Sequence, residues 1–153
     1  YGIVVILGKP LSRGTLRLAS TNVKEPALID LAYFRNPADM ETMLNAIDAA
    51  RKIAAHEDLK AWGNKPLAGQ LNSEKREVWK KWVLNNVMTT FHYCGTCSMG
   101  EGADKPVDTS LKLKGFSGLR IADASVIPEI PVSALNAPTM MVGYRAADFI
   151  LQG

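Results

Sequence analysis

Phe91-His92-Tyr93-Cys94-Gly95-Thr96-Cys97-Ser98-Met99-Gly100 is the stretch on which the reading of this chain turns. It gathers one histidine, two cysteines and two glycines just after a helical pattern ends. His92 is one of 2 histidines in the chain, and an imidazole is the side chain that gains or loses a proton near neutral pH. The glycines let the backbone pass close to a ligand.

Upstream, Ser73 is placed to cap a helix running to about Thr90. Trp79, Trp82, Val83 and Val87 form its apolar face, and Lys75, Arg76, Lys80 and Lys81 a basic one that reads as a solvated surface. Trp62 to Asn72 reads as irregular, punctuated by Gly63, Pro66 and Gly69. An earlier helix opens at Asn36-Pro37, with Asn as N-cap, Pro at the first helical position, and Asp39 and Glu41 in the first turn. Met40, Met43, Leu44, Ile47, Ala50 and Ala54 fall on one stripe, so both methionines read as core. His56 reads as a charge at that helix's C-terminus. Three strands are predicted before it: Ile3 to Leu7, Thr15 to Ala19, and the alternation of Ile29, Leu31 and Tyr33. Their short links favour antiparallel pairing.

Downstream, Leu111 and Leu113 alternate with lysines as a strand does. Leu119 to Asp123 forms another strand, ending in an acid. Pro128 and Pro131 keep the chain extended. A last helix is predicted from Ala137-Pro138 to Leu151, with Asn136 just before it, where a helix start offers free N–H groups.

The length of 153 residues suffices for a domain with a core. The formal charge of +3 is dispersed, which argues for solubility and says little about nucleic acid; no nucleic-acid partner is expected, the basic helix face being a solvated surface. No apolar run approaches the ~20 residues of a membrane span. There is no signal-peptide layout, and two cysteines cannot form a disulfide framework, so no oxidising compartment is implied. The compartment stays open, with the cytoplasm as the working expectation.

Two chemistries compete for the central stretch. His92 can act as a general base, taking a hydroxyl proton while a hydride leaves the same carbon for an oxidised cofactor, with Asn136 orienting the oxygen. Alternatively, Cys94-Gly95-Thr96-Cys97 is a thiol-redox pair in a stand-alone redox or binding module. That pair follows a helix and does not open one. Zinc needs two further ligands, for which only His92 and His56 offer themselves, so no metal is expected.

A set of motifs then weighs in. In order they are Pro10-Leu11-Ser12-Arg13-Gly14, Asn36-Pro37-Ala38-Asp39, His92-x-x-Gly95-Thr96-Cys97-x-Met99-Gly100, Val107-Asp108, Gly118-Leu119-Arg120-Ile121-Ala122-Asp123-Ala124-Ser125-Val126-Ile127-Pro128, Asn136-Ala137-Pro138-Thr139-Met140-Met141 and Ala146-Ala147-Asp148. Together they resemble the C-terminal, substrate-side domain of the glucose–methanol–choline (GMC) oxidoreductases, in their choline-dehydrogenase-like branch. The resemblance spans residues 1–153 as one such domain. It implies an α+β fold, mainly an antiparallel sheet flanked by helices. It also implies FAD-dependent oxidation of an alcohol to an aldehyde or ketone, with His92 as the base facing the flavin. Asp123 and Ala124 would lie along the ribityl and pyrophosphate part of FAD, and Asn136 to Thr139 near the pyrimidine edge. The family's second catalytic position falls at Asn136 counted forward from His92, and at Ala134 counted back from Ala146. Tyr144 stands where the family commonly has Glu.

The G-x-G-x-x-G fingerprint of a Rossmann FAD-binding domain is absent from this chain. The expected partners are therefore that missing domain and a small alcohol, and the chain alone is expected to be inactive. The face carrying His92, Asp123 and Asn136 is expected to be exposed and partly apolar, open to that domain or to a second copy in a homodimer.

Overall fold

The structure is a computed structural model that describes residues 1–63, 69–132 and 134–152. The chain divides into two compact units. The first comprises Tyr1–Thr15 with Ile29–Met88, and the second Leu16–Leu28 with Thr89–Gly153. In order, the elements are strands β1 (Thr15–Arg17) and β2 (Leu28–Asp30), helix α1 (Pro37–Ala54), 3-10 turns at Glu57–Trp62 and Gly69–Asn72, helix α2 (Arg76–Asn86), a 3-10 turn at Ala124–Val126, and helix α3 (Asn136–Leu151). Helices with a small antiparallel sheet make an α+β chain. Among the described residues, no helix is long and apolar enough to cross a membrane.

The sheet is smaller than the sequence predicts. β1 stops at Arg17, and Leu16 and Leu18 are exposed, not half-buried. β2 ends at Asp30, whose carboxylate accepts the Ala32 N–H at 2.9 Å, while Ala32 and Phe34 take left-handed backbone that no pleat tolerates. Gly14 is needed here, because a Cβ on it would lie 2.2 Å from the Asp30 carbonyl oxygen. Ile3 to Leu7 is not a strand: only Val5 and Leu7 turn inward, Val4 and Ile6 are exposed, and no neighbouring strand takes its hydrogen bonds among the described residues.

In the first unit α1 forms as its caps predict. Asn36 accepts the Ala38 N–H at 3.0 Å, and Pro37 stands at the first position. Met40, Leu44 and Ile47 bury against Trp79 and Val83 of α2, with Met43 and Trp82 alongside. Asp39 does more than face a helix dipole. It is 3 % exposed, and its oxygens accept the N–H groups of Leu11 at 2.7 Å and Ser12 at 2.8 Å, as well as the Ser12 hydroxyl. The Ser12 Oγ in turn accepts the Asn36 N–H at 2.9 Å. One carboxylate thus pins the Pro10–Gly14 segment to the head of α1. Burial pushes the Asp39 carboxyl upward, but the donors from Leu11 and Ser12, with the Arg13 charge, outweigh it and hold it below the usual carboxylate range.

A pH dependence follows from that direction. A lowered folded pKa adds stability above the unfolded value of 3.8, and this stability is lost as pH falls through the folded value. Asp39→Asn is expected to destabilise the chain by about 2 kcal/mol near neutral pH. The difference from the parent should narrow in urea titrations run below pH 3.8. A gap that stayed constant with pH would show that the charge is not what holds the segment.

α2 is shorter than its apolar stripe predicts. Ser73 caps the approach instead, its Oγ accepting the Lys75 N–H at 3.1 Å. At the far end the Asn86 side chain bonds back to the Trp82 carbonyl at 2.7 Å, and Val87 turns extended at ψ 136°. His56 directly follows Ala55, the C-cap of α1, and its N–H donates to the Ile53 carbonyl at 3.0 Å. It opens the following 3-10 turn, with Nδ1 accepting the Asp58 N–H at 3.4 Å. Of the irregular Trp62–Asn72 stretch, residues 64–68 lie outside the described residues.

The second unit is built on Val107, Leu111, Val126, Val142 and Ala146, with Cys97, Met99 and Ile121 packed on them. The strands expected at Leu111–Leu113 and Leu119–Asp123 reduce to single bridges, Val107 with Leu113 and Lys112 with Arg120. Leu111 is left-handed at φ 65°, locked by Asp108, whose carboxylate accepts the Ser110 and Lys112 N–H groups at 2.8 and 2.9 Å. Arg120 donates to the carbonyls of Ser110 and Phe149, tying this loop to α3.

Candidate functional site

His92, Cys94, Cys97, Asp123, Ala124, Asn136 and Thr139 all fall in the second unit. His92 is delivered by a strained backbone. Phe91 is left-handed at φ 62°, a costly state for an aromatic residue, and is held there as its N–H donates to Thr89 Oγ1 at 2.8 Å. His92 is half-buried, and its Nδ1 accepts the N–H of buried Leu135 at 3.2 Å. The Leu135 carbonyl accepts the Thr139 N–H at 2.9 Å, which makes Leu135 the hinge between the imidazole and the first turn of α3.

α3 begins one residue earlier than predicted, with Asn136 as its first residue. Asn136 is exposed and next in the chain to the residue that holds His92. Its helix-start N–H lacks an acceptor within the helix. No hydrogen bond joins the Asn136 and His92 side chains among the described residues. Ala134 is also exposed and carries no polar group. Thr139 is half-buried in the first turn.

Asp123 is exposed and caps the 3-10 turn at Ala124–Val126, its Oδ1 accepting the Ser125 N–H at 2.7 Å. That turn fixes the central stretch. Ser125 and Val126 carbonyls accept the N–H groups of Cys97 at 3.0 Å and Met99 at 2.9 Å. Gly95 is left-handed at φ 87°, and Ser98 Oγ donates to its carbonyl at 2.7 Å. Cys94 and Cys97 are both half-buried and do not stand at a helix start. Among the described residues, no three His, Cys, Asp or Glu side chains gather as metal ligands.

The outer side of α3 is apolar as well as the inner. Val142 and Ala146 face the core, while Met140, Tyr144 and Leu151 stand 68 %, 71 % and 85 % exposed. Leu135 is the residue that sequence reasoning missed, because a backbone N–H leaves no mark in the residue type.

A sequence profile of the GMC oxidoreductases matches residues 10–143, and the chain belongs to that family. It is 37 % identical over 143 residues to a choline oxidase of Arthrobacter globiformis, a match covering 91 % of the chain and 26 % of that protein. It is 32 % identical over 139 residues to an oxygen-dependent choline dehydrogenase of Escherichia coli K12, covering 91 % and 25 %. The chain thus spans about a quarter of the length of these relatives. Among solved structures it superposes on pyridoxine 4-oxidase from Mesorbium loti at a TM-score of 0.88 and 28 % identity, covering 95 % of the chain and 28 % of that protein. On a formate oxidase of Aspergillus oryzae RIB40, studied for FAD modification, the TM-score is 0.82 at 30 % identity, covering 94 % and 25 %.

Proposed function

We propose that this chain is the substrate-side domain of an FAD-dependent enzyme that oxidises an alcohol to an aldehyde or ketone, working with an FAD-binding domain outside residues 1–153. The observation that carries this reading is the half-buried His92 held at the head of α3, beside exposed Asn136, in a chain of the GMC family. His92 receives the hydroxyl proton, and Asn136 orients the alcohol oxygen. FAD, when bound, supplies the acceptor for the hydride leaving the alcohol carbon.

The donor and acceptor set fits one edge of FAD. Asp123 is exposed, with Oδ1 engaged by Ser125, so its carboxylate has acceptor capacity for ribityl hydroxyls. Ala124 lies beside it. The head of α3 at Asn136, with Thr139 in the same turn, offers donors to the carbonyl-bearing edge of the ring. These residues touch the cofactor without enclosing it, so the chain alone is inactive in this reading. The apolar outer side of α3 is then the face that the FAD-binding domain covers.

The test is anaerobic mixing of the FAD-loaded enzyme carrying this chain with choline, the alcohol named in two relatives. Bleaching of the flavin absorbance is expected, and Cys94→Ser with Cys97→Ser should leave its rate within about twofold, because neither thiol takes the proton or the hydride in this reading. If the serine variants abolish bleaching while His92→Ala keeps it, the thiols carry the chemistry and this reading fails.

A further inference from the structure

We propose that the backbone N–H of Leu135 is a positioning group that fixes the tautomer of His92. A neutral imidazole carries its proton on one nitrogen and a lone pair on the other. Nδ1 lies 3.2 Å from the Leu135 nitrogen and accepts its N–H. A proton on Nδ1 would set two N–H groups head to head and leave the Leu135 donor unsatisfied. The neutral ring therefore keeps its proton on Nε2.

The donor is built to stay in place. Leu135 is 4 % exposed, and its carbonyl is engaged by Thr139 in the first turn of α3. On the other side of the ring's own backbone, left-handed Phe91 is held by Thr89 Oγ1. Both the ring and the backbone that carries it are thus constrained.

The consequence for catalysis rests on the proposed function; the tautomer itself does not. The resting ring meets an alcohol oxygen with an N–H donor at Nε2. Its bare nitrogen is Nδ1, so a hydroxyl proton is taken up only when the Leu135 bond opens and the ring turns to bring Nδ1 to the hydroxyl. In that step the O–H bond breaks, an Nδ1–H bond forms, the ring gains one positive charge and the oxygen one negative charge. The hydride from the carbon then leaves to the FAD of the proposed function.

The test is nitrogen NMR on the chain with 15N-labelled protein, in a His56→Asn background that leaves His92 as the sole histidine, at a pH where imidazole is neutral. A single tautomer with Nε2 protonated is expected, with a through-bond coupling between the Leu135 and His92 Nδ1 nitrogens. Leu135→Pro removes the N–H at a φ of −77°, within the range proline adopts, and should release the ring to a mixture of tautomers. Leu135→Ala keeps the N–H and should read like the parent. A protonated Nδ1 in the parent, absence of the coupling, or an equal shift in the alanine and proline variants overturns the proposal. The parent spectrum decides the matter even if the proline variant does not fold. Neither readout depends on turnover, so failure of the alcohol-oxidation reading is seen separately.

Discussion

His92→Ala is expected to slow flavin bleaching by about 10²- to 10⁴-fold in the FAD-loaded enzyme, the usual worth of a positioned proton acceptor. Hydride departure from an alcohol carbon leaves a carbonyl only if the hydroxyl proton also goes. Without the imidazole that proton must leave to water, a poor base at neutral pH. The structure holds His92 at the head of α3 through the Leu135 N–H at 3.2 Å. Removing it deletes the acceptor while leaving Asn136 and the first turn of α3 in place. The measurement is the anaerobic bleaching rate at saturating alcohol, with FAD content checked in each preparation. A variant that keeps FAD and bleaches within tenfold of the parent would show that the proton leaves by another route. Asn136→Ala is expected to act in the same direction with a smaller effect, because it removes an orienting group and not the acceptor.

The largest effect on stability is expected at Trp79. Its side chain is 3 % exposed and packs with Met40, Leu44, Ile47 and Val83. Its indole N–H donates to the Ser73 carbonyl at 2.6 Å. The Arg51 guanidinium lies 4.5 Å from the ring centroid and is itself held by Glu74 at 2.7 Å. Trp79→Ala removes the ring that these groups share, and such truncations cost about 3–5 kcal/mol. Trp79→Phe keeps most of the volume and the cation contact but loses the indole donor, at about 1 kcal/mol. Urea unfolding of the chain followed by far-UV circular dichroism reads both. A loss under about 1 kcal/mol for the alanine variant would mean that the α1–α2 core tolerates the cavity.

The helices were legible because their signals are local. The Asn36-Pro37 opening and the stripe from Met40 to Ala54 specify α1 without help from distant residues. The strands were not, since a pattern such as Ile3 to Leu7 says only that a segment can pair. Whether a neighbour arrives is decided elsewhere. Left-handed Ala32, Phe34 and Leu111 break the expected extended runs at residue types that give no warning. His56 lies just past the C-cap of α1, as its position implies, but Glu57 and Asp58 after it suit a helix start, and the backbone at ψ 143° shows that a new turn begins there.

The site divides along the same line. Motif order marks His92, Asp123, Ala124, Asn136 and Thr139, and the structure sets His92 against the start of α3 and Asp123 at the cap of its own turn. What the sequence hid were the contacts made by main-chain atoms, above all the Leu135 N–H. Asp39 shows the mixed case. Its type and position marked a helix start, but its bonds to Leu11 and Ser12 span 28 and 27 residues, and no periodicity encodes them.

Neither compact unit is a continuous stretch of polypeptide, because Leu16–Leu28 belongs with Thr89–Gly153 and interrupts the other unit. An expression fragment starting at Thr89 would omit part of its own unit, and one ending at Met88 would carry a foreign insertion. Folding has the same difficulty: the second unit can close only after Ile29–Met88 has been looped out, which delays its completion more than it weakens it. Grafting this scaffold onto another enzyme therefore means transplanting the whole run from Tyr1, not its histidine-bearing half.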